Sequence, residues 1–152
     1  MSPGKLNRRI LSDRIAWIDW MLQEIGKLPL ESYDEFLRDS RNVWAAESCL
    51  RRAFEALLDL GRHILAKGFG KGVTEYKEIA RELESKSVLD SRNALLLKVL
   101  AGYRNRMTHF YHEVGTKELY DICREDIRDV QKVKDAFVSW INANPGRIDE
   151  RL

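Results

Sequence analysis

The fold is decided by a segment that reads VWAAESCLRRAFEALLDLGRHI, residues 43–64. Small and apolar side chains recur along it at steps of three or four, which places them on one face of an α-helix. These positions are Val43, Ala46, Leu50, Phe54, Leu57, Gly61 and Ile64. A long helix with one apolar face is stabilised mainly by packing against other elements, so the segment predicts a helix that packs against its neighbours.

The same spacing predicts helices on both sides of this segment. A helix over 5–27 carries apolar residues from Leu11 to Ile25, and Ser32 with Glu35 has the capping-box spacing of a short helix over 33–38. Three further helices follow: one over 75–84 capped by Thr74, one capped by Asp90 or Ser91 with the stripe Leu95, Leu96, Val99, Leu100 and Tyr103, and a last one running from Thr116 to Ile141.

The connections between these segments are short, which favours antiparallel neighbours. The sequence therefore predicts an all-α fold, an up-and-down bundle of about five helices. Its 152 residues fit a single domain, which we place at 1–144, followed by a short polar tail at 145–152 after the break at Asn144.

Composition excludes several classes of protein. Apolar runs are too short to cross a bilayer, and the first residues lack the apolar centre of a signal peptide. Cys49 and Cys123 lie far apart without metal-site spacing, so a reducing cytoplasm is the expected location. The 26 basic and 24 acidic residues leave a net charge of +2, which argues against binding nucleic acid through bulk positive charge.

One stretch, residues 102–113, is dense in reactive side chains. It contains two of the three histidines, and the surrounding residues 98–112 carry +3 from Lys98, Arg104 and Arg106 with no acid between them. Histidine transfers protons near neutral pH, and arginine offers a fixed fork that fits phosphate oxygens. This pattern predicts a focused positive site suited to cleavage of an RNA backbone by its own 2′-hydroxyl, without a metal.

The spacing within this stretch leaves its geometry open. Arg104 and His109 lie about 140° apart around a straight helix, so they converge only if the helix ends near Thr108 or if two copies of the segment meet. An arginine and a histidine near a helix end also often only cap carbonyls or pair with acids. His63 is either a plain helix-face residue or a neighbour of the site through Asp59.

Arg104 to Tyr111 resembles the Arg-x4-His-x-Tyr signature of HepT-type toxins in the HEPN superfamily. The likeness extends to residues 53–64, which resemble the central helix of that family, and to the starts of later helices at 76–83 and 118–122. It covers the chain from about Arg9 to Ile141 and matches the length and the order of helices.

The resemblance implies a homodimer in which two motifs face each other, with Arg104 and His109 as the ribonuclease pair and Asn105 as a supporting polar residue. It implies a toxin that cleaves cellular RNA without cofactor or metal. It also implies a partner, a nucleotidyltransferase antitoxin of the MntA type, which uses ATP to attach AMP to Tyr111.

Two other classes of function stay open. The chain could be a non-enzymatic helical partner that binds the nucleotidyltransferase and nucleotide, or a generic helical interaction domain. The second of these leaves the residues around His109 unexplained. A purified protein without nuclease activity that still bound the nucleotidyltransferase would favour the first.

Overall fold

The computed structural model describes residues 4–109 and 114–150, with His109 described through its backbone alone. Within these ranges the α-helices are α1 (Arg8–Gly26), α2 (Tyr33–Leu37), α3 (Ser40–His63), α4 (Tyr76–Ser85), α5 (Ser91–His109), α6 (Thr116–Asp121) and α7 (Ile127–Ala143). A wider π-turn extends α3 over Ile64–Gly68. None of the helices in the described ranges is long and apolar enough to cross a membrane.

Helix α3 occupies the centre of the bundle, because α1, α2, α4, α5, α6 and α7 all pack against it. Leu50, Phe54 and Leu57 on its apolar face are fully buried, as the spacing of residues 43–64 predicts. The helices approach closely at Gly61, where an added β-carbon would lie 2.8 Å from Leu83 Cδ1 on α4. The absence of a side chain at Gly61 thus allows α3 and α4 to pack tightly.

The all-α fold with about five main helices is confirmed, and two of the predicted caps are present. Ser32 accepts a hydrogen bond from the Glu35 amide, and Asp90 accepts one from the Asn93 amide. The cap predicted at Thr74 is wrong, because α4 begins one residue later than expected, after Glu75, and no side chain caps its first turn.

The last predicted helix is interrupted rather than continuous. Helix α6 leads through a π-turn at Ile122–Asp126 into α7. Tyr120 is almost fully buried beside the rings of Tyr33 and Phe36, and its hydroxyl donates to the Leu30 carbonyl at 2.8 Å. The residue therefore fastens α6 to the segment that joins α1 and α2.

The apolar stripe predicted on α5 is only partly correct. Leu100 is buried, but Leu95 and Val99 are 61% and 46% exposed. The side that faces the core carries Ala94, Leu97, Leu100 and Ala101 instead. The bundle thus leaves two apolar side chains of α5 in contact with water.

Residues 145–149 are more ordered than a polar tail. After a 3₁₀ turn at Pro145–Arg147, the strand β2 (Ile148–Asp149) pairs in parallel with β1 (Leu6–Asn7), and Ile148 is buried. Arg147 donates to the Gly68 carbonyl at 2.6 Å. The end of the chain is therefore packed onto both the start of α1 and the end of the α3 extension.

Candidate functional site

Arg104, predicted to be catalytic, lies on the side of α5 that faces α3 and α4. Its side chain retains 20% of its exposure. Its Nε donates to Glu55 Oε1 at 3.3 Å, and its Nη1 donates to Asn105 Oδ1 at 3.3 Å. Its Cζ also lies 4.5 Å from the centroid of the Tyr76 ring, within the range of a cation–π contact. Three side chains thus hold the guanidinium in place.

Tyr76, at the first position of α4, is the centre of this cluster. Its hydroxyl donates to Asp59 Oδ1 at 3.1 Å, and the Arg62 guanidinium lies 4.8 Å from its ring centroid. Burial, and secondarily the charge of Asp59, raises the pKa of the Tyr76 hydroxyl. The phenol therefore stays protonated near neutral pH and continues to donate to Asp59.

The floor of the cluster is a polar stripe on α3 at Glu55, Asp59 and Arg62. These positions are four and then three residues apart, so they share one face of the helix. Arg51 Nη1 lies 3.5 Å from Glu55 Oε1, and Arg62 Nη1 lies 3.7 Å from Asp59 Oδ1. Because α3 is buried on its other side, this stripe is fixed relative to α5 by the core.

A cleft of about 590 Å³ opens above the cluster. Its walls come from the start of α4 and from α5, and the residues that line it are Arg62, Thr74, Glu75, Tyr76, Lys77, Arg104 and Asn105. Two predicted site residues, Arg104 and Asn105, therefore face one cavity.

Arg106 lies on the opposite side of α5 and has a different environment. It forms a two-pronged ion pair with Glu118 at 2.6 and 2.9 Å. Arg104 likewise pairs with an acid, Glu55. Acids distant in sequence therefore offset two of the three positive charges counted over residues 98–112.

Next to Arg106, Tyr103 hydrogen-bonds to Asp126 in the π-turn after α6. Burial, followed by this hydrogen bond and the charge of Asp126, raises the pKa of Tyr103 to about 12. Burial likewise raises the pKa of Asp126. The Tyr103 side of α5 is thus joined to α6 and the turn that follows it.

The histidines fall in different places. His63 lies apart from Arg104: burial lowers its pKa, with Lys67 and Arg14 as the charged groups that lower it further. The backbone of α5 is helical through His109, the last residue described before residue 114. The side chain of His109, together with Tyr111 and His112, lies outside the described residues.

Sequence reasoning missed Glu55, Arg62 and Tyr76 as neighbours of Arg104. The signal available was the spacing of Glu55, Asp59 and Arg62 on one face of α3, a polar stripe opposite the apolar one. No group of three or more acidic, histidine or cysteine side chains suited to a metal ion occurs in the described part of the chain.

Comparison with known proteins gives consistent matches. The sequence profile of the family described as "Ribonuclease HepT-like" matches residues 18–137. The chain is 26% identical over 112 residues to the tRNA nuclease HepT of Aphanizomenon flos-aquae (strain 2012/KM1/D3), a match that covers 73% of this chain and 76% of that relative.

Among solved structures, the fold is similar to the tri-AMPylated HEPN toxin of Shewanella oneidensis in complex with MNT antitoxin. The TM-score is 0.76 at 19% identity, covering 86% of this chain and 97% of that one. YutE of Bacillus subtilis, a cytosolic protein of unknown function, gives a TM-score of 0.76 at 17% identity, covering 96% of this chain and 98% of YutE. At these identities the likeness is one of fold.

Proposed function

Because the chain belongs to the HepT-like ribonuclease family, we propose that it is the toxin of a toxin–antitoxin pair and cleaves cellular RNA without a metal. The observation that supports this proposal is the position of Arg104. Its partly buried guanidinium is held by Glu55, Asn105 and Tyr76 at the wall of a cleft. An arginine fixed in this way meets a phosphate without first losing much side-chain freedom.

The chemistry assigned to the site is transfer of the backbone phosphate to the neighbouring 2′-hydroxyl. His109 takes the proton of that hydroxyl, its oxygen attacks phosphorus, and the 5′-oxygen of the next nucleotide leaves and takes up a proton. Arg104 stabilises the negative charge that develops on the phosphate oxygens. The products are a 2′,3′-cyclic phosphate and a free 5′-hydroxyl, so no oxidant or metal is needed.

The site is assigned to a homodimer. The positions of Arg104 and His109 differ by about 140° around a helix that is continuous through His109, so one copy does not present both on one face. The exposed Leu95 and Val99 lie within about 80° of the His109 position. Covering them with a second copy brings two histidines together, one as base and one as acid.

Removal of the histidine tests the nuclease. We expect His109→Ala to lower kcat for RNA cleavage by a factor of about 10² to 10⁴, the usual contribution of a proton-transfer group. tRNA is the first substrate to assay, since the Aphanizomenon relative is named a tRNA nuclease. The matched control is His63→Gln, which removes a histidine outside the cleft and keeps wild-type cleavage. Equal rates for His109→Ala and the wild type would overturn the assignment.

Regulation is assigned to Tyr111, which a nucleotidyltransferase antitoxin of the MntA type modifies with AMP from ATP. The Shewanella toxin, similar in fold, is described as tri-AMPylated and in complex with MNT antitoxin. Each added AMP brings a negatively charged phosphate and considerable bulk, which oppose the entry of an RNA strand. Tyr111 is two residues from His109, so the modification occurs beside the proposed proton-transfer group.

The mass of the protein after incubation with ATP and a nucleotidyltransferase of the MntA type tests this regulation. We expect a gain in whole AMP units that Tyr111→Phe abolishes and Tyr33→Phe keeps. A gain that persists in Tyr111→Phe would contradict the modified position. A stable complex that gains no AMP and contains no nuclease activity would favour the non-enzymatic partner instead.

A further inference from the structure

Two arginines share one aromatic ring in the cleft. The Cζ atoms of Arg62 and Arg104 lie 4.8 and 4.5 Å from the centroid of Tyr76, so the two guanidiniums are no more than about 9 Å apart. Tyr76 is itself fixed by its hydrogen bond to Asp59. The ring thus sets the spacing of two permanent positive charges, one from α3 and one from α5.

Both arginines make long contacts with their acidic neighbours. Arg104 Nε lies 3.3 Å from Glu55, and Arg62 Nη1 lies 3.7 Å from Asp59, whereas a strong charge-assisted pair has a separation of about 2.7–2.9 Å. Arg62 Nη2 donates to the Thr74 carbonyl at 3.2 Å, while Nε is buried and has no hydrogen-bond partner in the described part of the chain. The side chain is 38% exposed, so a ligand in the cleft would be met by the Nη atoms and not by Nε.

The wall of the cleft adds a third cation, Lys77, and an acid, Glu75. With Glu55 and Asp59 beneath, three acids offset the three cations around the cleft. Binding in the cleft must therefore depend on guanidiniums fitted to particular phosphates and less on a broad positive field.

We propose that Arg62 binds a second phosphate of the RNA strand whose scissile phosphate contacts Arg104. The inference rests on the proposed ribonuclease function and adds a subsite to it. A flexible single strand can place neighbouring phosphates at the spacing that Tyr76 sets, while a ligand with one phosphate engages one arginine. The substrate class is accordingly single-stranded RNA with a phosphate on each side of one nucleotide, bound by its backbone and not by its bases.

The salt dependence of binding tests this subsite. Fluorescence anisotropy with a short labelled 2′-O-methyl RNA, which lacks the attacking hydroxyl, gives the affinity without cleavage. Loss of one phosphate contact on single-stranded nucleic acid lowers the slope of log K against log salt by about 0.7. We expect this reduction for Arg62→Gln, none for Arg62→Lys, and none for Lys86→Gln at the opposite end of α4.

Cleavage kinetics add a second readout. We expect Arg62→Gln to raise KM for unmodified RNA by about tenfold with kcat within a factor of three, since a remote phosphate contact contributes to ground state and transition state alike. An unchanged salt slope in Arg62→Gln, even with weaker binding, would overturn the subsite and leave the nuclease standing. A wild-type protein that neither binds nor cleaves RNA would overturn both.

Discussion

Two of the arginines on helix α5, Arg104 and Arg106, are two residues apart and have different surroundings. Arg104 faces α3 and α4, where it makes a single 3.3 Å contact with Glu55 and lies against an aromatic ring beside an open cleft. Arg106, about 160° around the helix, is held by two short bonds to Glu118 on α6. The Arg104 side chain is 20% exposed and the Arg106 side chain 34%, so the difference lies in their partners: Arg104 is loosely paired at the wall of a cleft, while Arg106 is committed to a carboxylate.

This difference separates a functional arginine from a structural one within one motif. A charge count treats both residues alike, and both are about equally far from the end of the described helix. Their acidic partners come from α3 and from α6, and the geometry of each pair determines what remains available for a ligand. The comparison predicts different consequences for the same substitution at the two positions.

The largest effect, on RNA cleavage, is expected from replacing the planar guanidinium of Arg104 by an ammonium group. Arg104→Lys keeps the positive charge but loses the fork that spans Glu55, Asn105 and a phosphate, so kcat/KM for RNA should fall about 100-fold. The melting temperature should stay within a few degrees, which differential scanning calorimetry checks. Arg106→Lys is the matched control and should keep cleavage within a factor of three. Equal losses in the two lysine variants would remove the distinction.

A smaller effect, on stability, is expected at Arg106. Arg106→Gln breaks a partly buried ion pair and leaves the Glu118 carboxylate without this cation. The free energy of unfolding should fall by about 1 kcal/mol and the melting temperature by roughly 2–4 °C. RNA cleavage should remain within a factor of three. A double-mutant cycle with Glu118→Gln measures the coupling between the two side chains. A coupling of zero would show that the short distances carry no stability.

The smallest effect is expected at Tyr103, which lies on the same side of α5 as Arg106. Its pKa is about 12 in the folded protein against an ordinary value near 10, so the folded state holds the proton more tightly. The contribution of this raised pKa to the free energy of unfolding is complete below about pH 10 and is lost as pH rises toward 12.

Urea denaturation at pH 9 to 12 checks this contribution, with the pH values chosen to span the shift. We expect the wild type to lose more stability than Tyr103→Phe over this interval. Burial also raises the pKa of Cys123 to about 12, but both proteins carry that thiol, so the difference isolates Tyr103. Parallel curves for the two proteins would contradict the assignment.

Local sequence was enough to predict the bundle. Residues 43–64 have one apolar face and no competing pattern, so α3 and its burial follow directly. Ser32 and Asp90 cap their helices because short polar side chains bond to amides two or three residues on, an interaction within one turn. These features depend on neighbours in the chain and not on the rest of the fold.

The orientation of α5 could not be predicted in the same way. Ala94, Leu95, Leu96 and Leu97 are consecutive apolar residues, so helical spacing fits more than one face. The larger leucine at position 95 suggested an inward side, yet Ala94 and Leu97 are the buried ones. The face of α5 that points to the core depends on how α4 and α7 pack against it. The sequence of α5 alone does not contain that information.

Prediction of the candidate site was limited by sequence separation. Arg104 and Asn105 stand out because of their local pattern, but Glu55 is 49 residues from Arg104 and Tyr76 begins another helix. The charge of +3 over residues 98–112 omitted Glu55 and Glu118 for the same reason. Folding brings α3, α4 and α6 next to α5. The acids on α3 and α6 then offset the charges of Arg104 and Arg106.

If the cleft side of α5 is where RNA is cleaved, Arg104 and Arg106 must differ in their effect on catalysis. A single-turnover cleavage assay of Arg104→Gln and Arg106→Gln side by side, with the same RNA and at matched folded fraction, measures that difference. We expect a rate at least 100-fold below wild type for Arg104→Gln and a rate within a factor of three for Arg106→Gln. Wild-type cleavage by Arg104→Gln, or equal losses in both variants, would contradict it.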